Sequence, residues 1–168
     1  MAKTSPSKTK TRESPTFDGD SGVRRPSRAG KSLTLLGGGP LPQISSPDEA
    51  ALESFESPSQ HDYEVTFFTR EFTSHCPVTG QPDFAEITIR YTPDRRCLES
   101  KSLKHYLGAY RNQAVFAEGI VNRILGDVVA AIAPRRAVVI GDFSQRGGIS
   151  IRVEAAHDAG TPSAGKRK

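Results

Sequence analysis

Cys76 and Asp83 are the two residues whose types and spacing point most directly to covalent chemistry. They lie seven positions apart in TSHCPVTGQPDF, residues 73–84, a polar segment that two prolines stiffen. Cys76 would be a nucleophile when ionised, because cysteine reacts as the thiolate. Asp83, kept neutral by burial against Phe84, would be a general acid beside it. The alternative for Cys76 is a small, inert core residue.

A second cluster, ESKSLKHYL at residues 99–107, is suited to binding phosphate. Either Ser100 or Ser102 is predicted to cap the N-terminus of a helix there. The free amides of that first turn, together with Lys101 and Lys104, can hold an anion. The alternative is a capped amphipathic helix whose lysines are simply solvated.

Two further sites, a glycine turn and Glu118, are weaker candidates. Gly147 and Gly148 follow Arg146 in a turn where the backbone can approach a phosphate. Glu118, in FAEGIVN, could accept two N–H bonds from the edge of a purine-like ring if it faced inward, and would be solvated otherwise. Cys97, in DRRCLES, is predicted to be a packing residue.

The hydrophobic periodicity predicts the elements that position these residues. HDYEVTFFTREF and FAEITIRY alternate as strands, with the Cys76 segment joining them. Two helical rows follow, and then AVVIGDF and ISIRV form a hairpin around SQRGG. The order ββααββ predicts an α+β fold, a four-stranded antiparallel sheet with two helices on one face. Its two free edges favour oligomerisation.

The domain prediction places a basic disordered tail at residues 1–31, a folded domain at 32–155 and a flexible tail at 156–168. The first 31 residues contain one aromatic residue and too few aliphatic ones to offset their ordering entropy. Before the first long strand, the sequence predicts at most a helical turn around Glu49–Phe55.

The charge distribution argues against a general nucleic-acid surface on the domain. The net charge of +4 belongs to the ends of the chain: residues 1–31 hold eight Lys and Arg against three Asp and Glu, and the last three residues are all basic. Residues 32–165 hold twelve bases against sixteen acids. With no apolar stretch long enough to span a bilayer, no export signal and two isolated cysteines, we expect no membrane partner and a reducing cytoplasm.

Taken together, four segments resemble one family. EFTSHCPVTGQPDFAEI, LESKSLKHYL, YRN…FAEGIVN and FSQRGGISI are similar, in this order, to the NADPH-dependent 7-cyano-7-deazaguanine (preQ0) reductases, the nitrile reductases of queuosine biosynthesis, in their short single-domain form. The resemblance covers residues 33–155. It implies the tunnelling fold, assembled as two stacked pentamers with active sites between subunits and with no need for direct contact with nucleic acid.

The resemblance implies the reduction of the preQ0 nitrile to the primary amine preQ1, with NADPH as cofactor. Cys76 matches the nucleophile that forms a covalent thioimide, and Asp83 matches the proton donor. The other implied site residues fall into two groups. The substrate-binding positions are Leu98, Glu99, Ser100, Ala117 and Glu118, and the NADPH-binding positions are Lys101, Ser102, Lys104, Arg146 and Gly147.

Ala117 departs from the family pattern, which usually has His immediately before the glutamate. An imidazole that would contact substrate or carry protons is therefore missing. Two other functions stay open from the sequence: a zinc-dependent cyclohydrolase on the same fold, and a non-enzymatic protein that binds RNA or partners through the basic tail.

Overall fold

The computed structural model describes residues 44–160 of the 168-residue chain. The elements of this part are β1 (Ser54–Glu56), β2 (Val65–His75), β3 (Pro82–Thr92), β4 (Arg96–Leu98), α1 (Ser100–Gly108), a 3₁₀ helix (Ala109–Asn112), α2 (Ala117–Ile132), β5 (Arg136–Arg146) and β6 (Ile149–Asp158). Neither α-helix of the described part is long and apolar enough to cross a membrane. The predicted N-terminal tail, residues 1–31, lies outside the described residues.

The long strands form one antiparallel sheet in the order β2-β3-β5-β6. Two hairpins build it, and the crossover from β3 to β5 carries both helices. Gly147 and Gly148 make the tight turn between β5 and β6, with φ angles of 53° and 85°. Such positive angles are what a two-residue hairpin turn of this hand requires. The predicted α+β class and four-stranded antiparallel sheet are confirmed.

Two parts of the predicted element order are wrong. Ser54–Glu56 is a strand that pairs with β4 in a separate two-stranded sheet, so the helical turn predicted around Glu49–Phe55 does not form at its C-terminal end. β6 also continues to Asp158, which pairs with Arg136. The predicted C-terminal tail therefore begins too early, and its last residues, 161–168, lie outside the described part.

The core lies between one face of the sheet and the helices. Ile120, Val121, Ile124 and Val128 follow each other at helical spacing along α2 and are all fully buried. They pack against the inner face of the sheet, whose buried members include Ala85, Ile87, Ile89, Val139 and Phe143. The helices therefore cover one face, as predicted, and this packing fixes where α2 begins.

Two β-bulges change which side chains reach that inner face. In β2, Arg70 and Glu71 together oppose Glu86, since the register moves from Thr69↔Ile87 to Phe72↔Ala85. Phe72 and Ser74 are consequently buried beside Ala85, and the row leads on to Cys76. Without the extra residue, the alternation of side chains would have brought His75 to this face instead.

The second bulge lies at the end of β5. Ser144 and Gln145 together oppose Ser150, because the register moves from Phe143↔Ile151 to Arg146↔Ile149. Strand alternation then places Arg146 on the same face as buried Phe143 rather than on the opposite one. Both bulges thus bring functional candidates to the helix-covered face at one end of the sheet.

Gly141→Ala tests the packing of α2 on β5. A Cβ atom at Gly141 would lie 2.8 Å from both the Phe143 ring and Val121 Cγ2, in a part of the core with little room to relax. Overpacking of this kind costs about 1–3 kcal/mol of the free energy of unfolding, measured by urea titration. Gly108→Ala is the control, since nothing lies within 4 Å of its Cβ position in a helical backbone. An unchanged midpoint for Gly141→Ala would contradict the tight packing.

Candidate active site

Cys76 lies at the first position of a tight loop that joins β2 to β3. Its N–H donates to the Gln81 carbonyl at 2.9 Å, which closes the hairpin. Its carbonyl accepts from the Gly80 N–H, also at 2.9 Å, so the intervening residues form one helical turn. Gly80 takes a φ of 69°, a left-handed conformation that suits glycine. The free N–H groups of this turn point back toward the residue that precedes it.

These donors stabilise a negative charge on the Cys76 sulfur. The pKa of the thiol is lowered to about 6 by the Thr79 hydroxyl and N–H, by the Val78 N–H and by the Arg146 guanidinium, with partial burial opposing them. Since cysteine reacts as the thiolate, this lowered pKa suits Cys76 to a nucleophilic role at neutral pH. Cys97 differs: it is buried, and its sulfur lies 3.2 Å from the Tyr63 hydroxyl. Both cysteines are free thiols.

Asp83 forms an ion pair with Arg146. Asp83 is at the start of β3 and Arg146 at the end of β5, so the pair joins two neighbouring strands at the end of the sheet where the Cys76 loop lies. The expectation that burial against Phe84 keeps Asp83 neutral is wrong in its premise. Phe84 is 53% exposed, and the neighbour of the carboxyl group is a cation.

The start of α2 lies beside the same loop. His75 forms a bridge with Ala114, donating its N–H to the Gln113 carbonyl at 2.9 Å and accepting from the Val115 N–H at 3.2 Å. This pairing anchors the segment that leads into α2, whose first two residues are Ala117 and Glu118. The Glu118 side chain is exposed. Cys76, Asp83, Arg146 and the first turn of α2 are therefore gathered at one end of the sheet.

The residue that caps the N-terminus of α1 differs from the one predicted. Glu99, not Ser100 or Ser102, caps the helix: its carboxylate accepts from the Lys101 N–H at 2.8 Å and from the Ser102 N–H at 2.7 Å. The Ser102 side chain is fully buried and hydrogen-bonds the Glu99 carbonyl and the Glu53 N–H. Leu98 is buried as well. Ser102 thus has a structural role within the chain, and its buried hydroxyl group is not accessible to a ligand.

Ser100 and Lys104, by contrast, line an open cavity of about 320 Å³ between α1 and β2. Arg111 of the 3₁₀ helix contributes a second cation to its wall. Phe72, Ile87 and Leu103 lie at its apolar side. Asp83, Phe84 and Arg146 line a separate cleft of about 350 Å³, together with Gln81, Pro82, Ser144 and Gln145. These two cavities share no lining residue.

Residues 44–160 include no group of three His, Cys, Asp or Glu side chains placed to hold a metal ion. A zinc-dependent cyclohydrolase, the alternative open from the sequence, would need such a ligand set.

Comparison with known proteins places the chain in a family. The family model described as "QueF-like protein" matches residues 82–161. An NADPH-dependent 7-cyano-7-deazaguanine reductase from Syntrophus aciditrophicus is 52% identical over 128 residues, which cover 74% of this chain and 86% of that protein. The protein of the same name from Streptococcus thermophilus is 51% identical over 122 residues, covering 72% and 75% respectively. The chain belongs to the NADPH-dependent 7-cyano-7-deazaguanine reductase family.

A solved structure supports the reductase fold as well. The apo crystal structure of the archaeosine synthase QueF-Like aligns with a TM-score of 0.54 and 27% sequence identity, covering 59% of this chain and 96% of that one. The family resemblance and the α+β tunnelling fold expected from the sequence motifs are thus confirmed.

Two residues at these candidate sites escaped the sequence analysis. Thr79 donates to the thiol, but nothing in a lone threonine signals this before the turn from Cys76 to Gly80 is known. Arg111 had a usable signal: it lies seven residues after Lys104, two helical turns on, and so falls on the same side of the helical segment. Arg146, predicted near the cofactor, forms an ion pair with Asp83 in the structure.

Proposed function

We propose that this chain reduces the nitrile of 7-cyano-7-deazaguanine to the primary amine through a covalent bond to Cys76. The observation that carries the proposal is the reactive thiol at the β2–β3 loop with a carboxyl group and an arginine beside it, in a chain of the reductase family. This reaction belongs to the biosynthesis of queuosine, a modified nucleoside of tRNA, as the family resemblance implies.

The first step is the addition of sulfur to the nitrile. The Cys76 thiolate attacks the nitrile carbon, a C–S bond forms, and one π bond of C≡N breaks with its electron pair moving to nitrogen. Asp83 supplies the proton that nitrogen takes, leaving a neutral thioimide and an Asp83 carboxylate. One proton therefore passes from the thiol to the carboxyl group and on to nitrogen, so the step balances without an outside acid.

The loop that activates Cys76 also favours its later departure. To give the amine, the C–S bond must break again, with sulfur leaving as the thiolate. The N–H groups of Val78 and Thr79 lower the pKa of the thiol, and a thiol of low pKa is a better leaving group. The same donors thus serve bond formation and bond cleavage.

The side chains around α1 fit a phosphorylated cofactor. NADPH supplies hydride when bound, and two molecules are consumed for each nitrile reduced to an amine. Lys104 and Arg111 place two cations on the wall of the 320 Å³ cavity, and Ser100 adds a hydroxyl. Lys101 and Gly147 remain proposed contacts from their sequence positions, whereas the burial of Ser102 does not support a contact through its hydroxyl.

Glu118 and the segment before α1 are the proposed substrate contacts. Glu118 presents an exposed carboxylate beside the Cys76 loop, able to accept two N–H bonds from the edge of the deazaguanine ring. Leu98 and Glu99 are buried, so their part in binding would come through the backbone and through the exposed Ser100 that follows. Ala117 offers only a methyl group at the position where the family usually has His.

We also propose that a complete site forms between subunits of a homo-oligomer, as in the two stacked pentamers that the resemblance implies. Two observations support this. Asp83 and Arg146 line one cavity of a single chain, whereas Ser100 and Lys104 line another. The sheet leaves β2 and β6 as edges, and the edge strand β6 exposes Ile149 and Ile151.

Substitution of the two reacting residues tests the activity. Cys76→Ser should reduce substrate-dependent NADPH oxidation by on the order of 10³-fold or more, because a hydroxyl is a poor nucleophile at neutral pH. Asp83→Asn should reduce it by about 10²–10⁴-fold through loss of the proton donor. Cys97→Ser, at the buried thiol that contacts the Tyr63 hydroxyl, is the matched control and should keep its rate. Full activity in Cys76→Ser would refute the proposed mechanism.

Mixed oligomers test the shared site. Cys76→Ala and Lys104→Glu should each be inactive alone, whereas their co-expression should restore about a quarter of the wild-type rate, because that share of interfaces receives both intact residues. Co-expression of Cys76→Ala with Asp83→Asn is the control. Both residues belong to one side of the site, so no interface in that mixture is complete. If neither mixture regained NADPH-oxidising activity, the result would contradict a site between subunits.

A further inference from the structure

We propose that Ser74 is a positioning residue for Asp83, and that its buried hydroxyl group donates a hydrogen bond to the Asp83 carboxyl group as that group gives up its proton. This inference rests on the proposed function and deepens it, because it assigns an internal partner to the proton donor of the covalent step.

The Ser74 hydroxyl group is buried without a hydrogen-bond partner. Ser74 is fully buried, and within residues 44–160 nothing bonds its Oγ atom. The hydroxyl group of Ser102, which is just as deeply buried, bonds both the Glu99 carbonyl and the Glu53 N–H. Buried polar groups are almost always bonded in this way, since leaving one unpaired costs stability. We infer that the partner of Ser74, two residues before Cys76, is gained only during the reaction.

In the described part of the chain, Arg90 Nε is the other buried side-chain atom without a partner, and it lies on the other face of the sheet. Strand alternation places Arg90 there because its neighbours Ile89 and Tyr91 are buried beneath the helices. A guanidinium also has four further N–H donors, whereas Ser74 has a single hydroxyl group. The unpaired group that matters for the site is therefore that of Ser74.

The pairing of β2 with β3 puts Ser74 directly opposite Asp83. The Cβ atoms of opposite residues lie about 4.5–5.5 Å apart on one face of a sheet. Side-chain rotation alone can then bring a serine Oγ and an aspartate Oδ within hydrogen-bond distance. The bulge in β2 creates this pairing, because without its extra residue Asp83 would lie opposite Thr73.

The surroundings of the Ser74 hydroxyl group favour a protein partner over a ligand. Because Ser74 is fully buried, substrate and cofactor cannot touch it. Phe72, the neighbour on one side along this face of β2, is apolar. Cys76, the neighbour on the other side, has donors for its sulfur in its own loop, chiefly Thr79.

The Asp83 carboxyl group has the acceptor capacity for such a contact. Its side chain is 19% exposed, so most of it lies within the protein. A carboxylate has two oxygens with about four lone-pair sites. The ion pair with Arg146 therefore leaves room for a second donor on the buried side.

The hydrogen bond would act while the proton moves to the nitrile nitrogen. As sulfur adds to carbon, the O–H bond of Asp83 breaks, an N–H bond forms, and the electron pair stays on the Asp83 oxygen. Ser74 keeps its own proton throughout and donates to the resulting carboxylate. A hydrogen bond to an ionised acceptor is roughly twice as strong as a neutral one, so the contact favours the transition state over the resting state.

The test follows covalent adduct formation with 7-cyano-7-deazaguanine over time, by intact-protein mass spectrometry on the full chain without NADPH. Ser74→Ala removes one oxygen atom and should slow the reaction by about ten- to hundredfold. Alkylation of Cys76 by iodoacetamide needs no proton donor and should keep its rate in the same variant. Equal rates of adduct formation in the wild type and Ser74→Ala overturn the role.

A double variant tests whether Ser74 acts through Asp83. If it does, adding Ser74→Ala to Asp83→Asn should slow adduct formation by a further factor of about two at most. A second loss as large as that in the wild-type background would show that Ser74 acts independently, and would overturn the positioning role.

Urea unfolding separates this role from a purely structural one. Loss of an unpaired hydroxyl group should leave the urea midpoint of Ser74→Ala unchanged or raise it. Ser102→Ala is the matched control, because it removes two hydrogen bonds of another buried serine and should lower the midpoint. A midpoint lowered equally in both variants would mean that the Ser74 hydroxyl group is already bonded in the resting protein, contrary to the inference.

These outcomes distinguish the inference from the proposed function. A wild-type chain that forms no adduct refutes both. A wild-type chain that forms the adduct no faster than Ser74→Ala refutes the role of Ser74 and leaves the proposed function standing.

Discussion

The negative charge on the Cys76 sulfur is the interaction on which the rest of the site depends. It is stabilised mainly by backbone and side-chain donors of a single turn, in which Thr79 contributes most. That turn exists because Gly80 accepts a left-handed conformation and because the Cys76 N–H closes the hairpin onto Gln81. The charge on the Cys76 sulfur is stabilised here without a histidine, unlike in the histidine-paired cysteines of many hydrolases. The loop can therefore combine its nucleophile with a carboxyl group, which suits addition to a nitrile.

The sheet converts this local chemistry into a site. The bulges in β2 and β5 turn Cys76 and Arg146 toward the helix-covered face, where Asp83 already lies at the start of β3. The bridge between His75 and Ala114 then fixes the start of α2, with its exposed Glu118, beside the loop. The fold thus places the proposed nucleophile, proton donor and ring-binding carboxylate at one end of the sheet, while the cavity lined by Lys104 and Arg111 lies elsewhere on the chain.

Much of this could be predicted from the sequence because the long elements have strong periodicity. The four strands, the two helices and the glycine turn at 147–148 follow directly from residue patterns, and the Cys76–Asp83 loop followed from its polar, proline-bearing composition. The short strands β1 and β4 could not be predicted, since three residues show no periodicity and gain their pairing from tertiary contacts. The bulges were likewise invisible, because a single inserted residue is recognised only when two strands are aligned.

The same limits explain the errors in the site. Nothing in the sequence around Glu99 shows whether its side chain caps a helix or contacts a ligand. Ser100 and Ser102 are nearby, and serine is preferred over glutamate as an N-cap residue. Asp83 was expected to be neutral because Phe84 follows it, yet strand alternation puts these neighbours on opposite faces. Arg146, sixty-three positions later in the chain, meets Asp83 only through the β3–β5 pairing. Long-range electrostatic partners of this kind require the topology and cannot be obtained from local patterns.

Mass spectrometry of the intact protein mixed with 7-cyano-7-deazaguanine in the absence of NADPH tests the central claim most directly. The account predicts a mass increase of one substrate molecule per modified chain, located on the peptide that contains Cys76 and absent from Cys76→Ala. An unmodified wild-type chain under conditions where added NADPH gives full turnover, or an adduct that persists in Cys76→Ala, would contradict it.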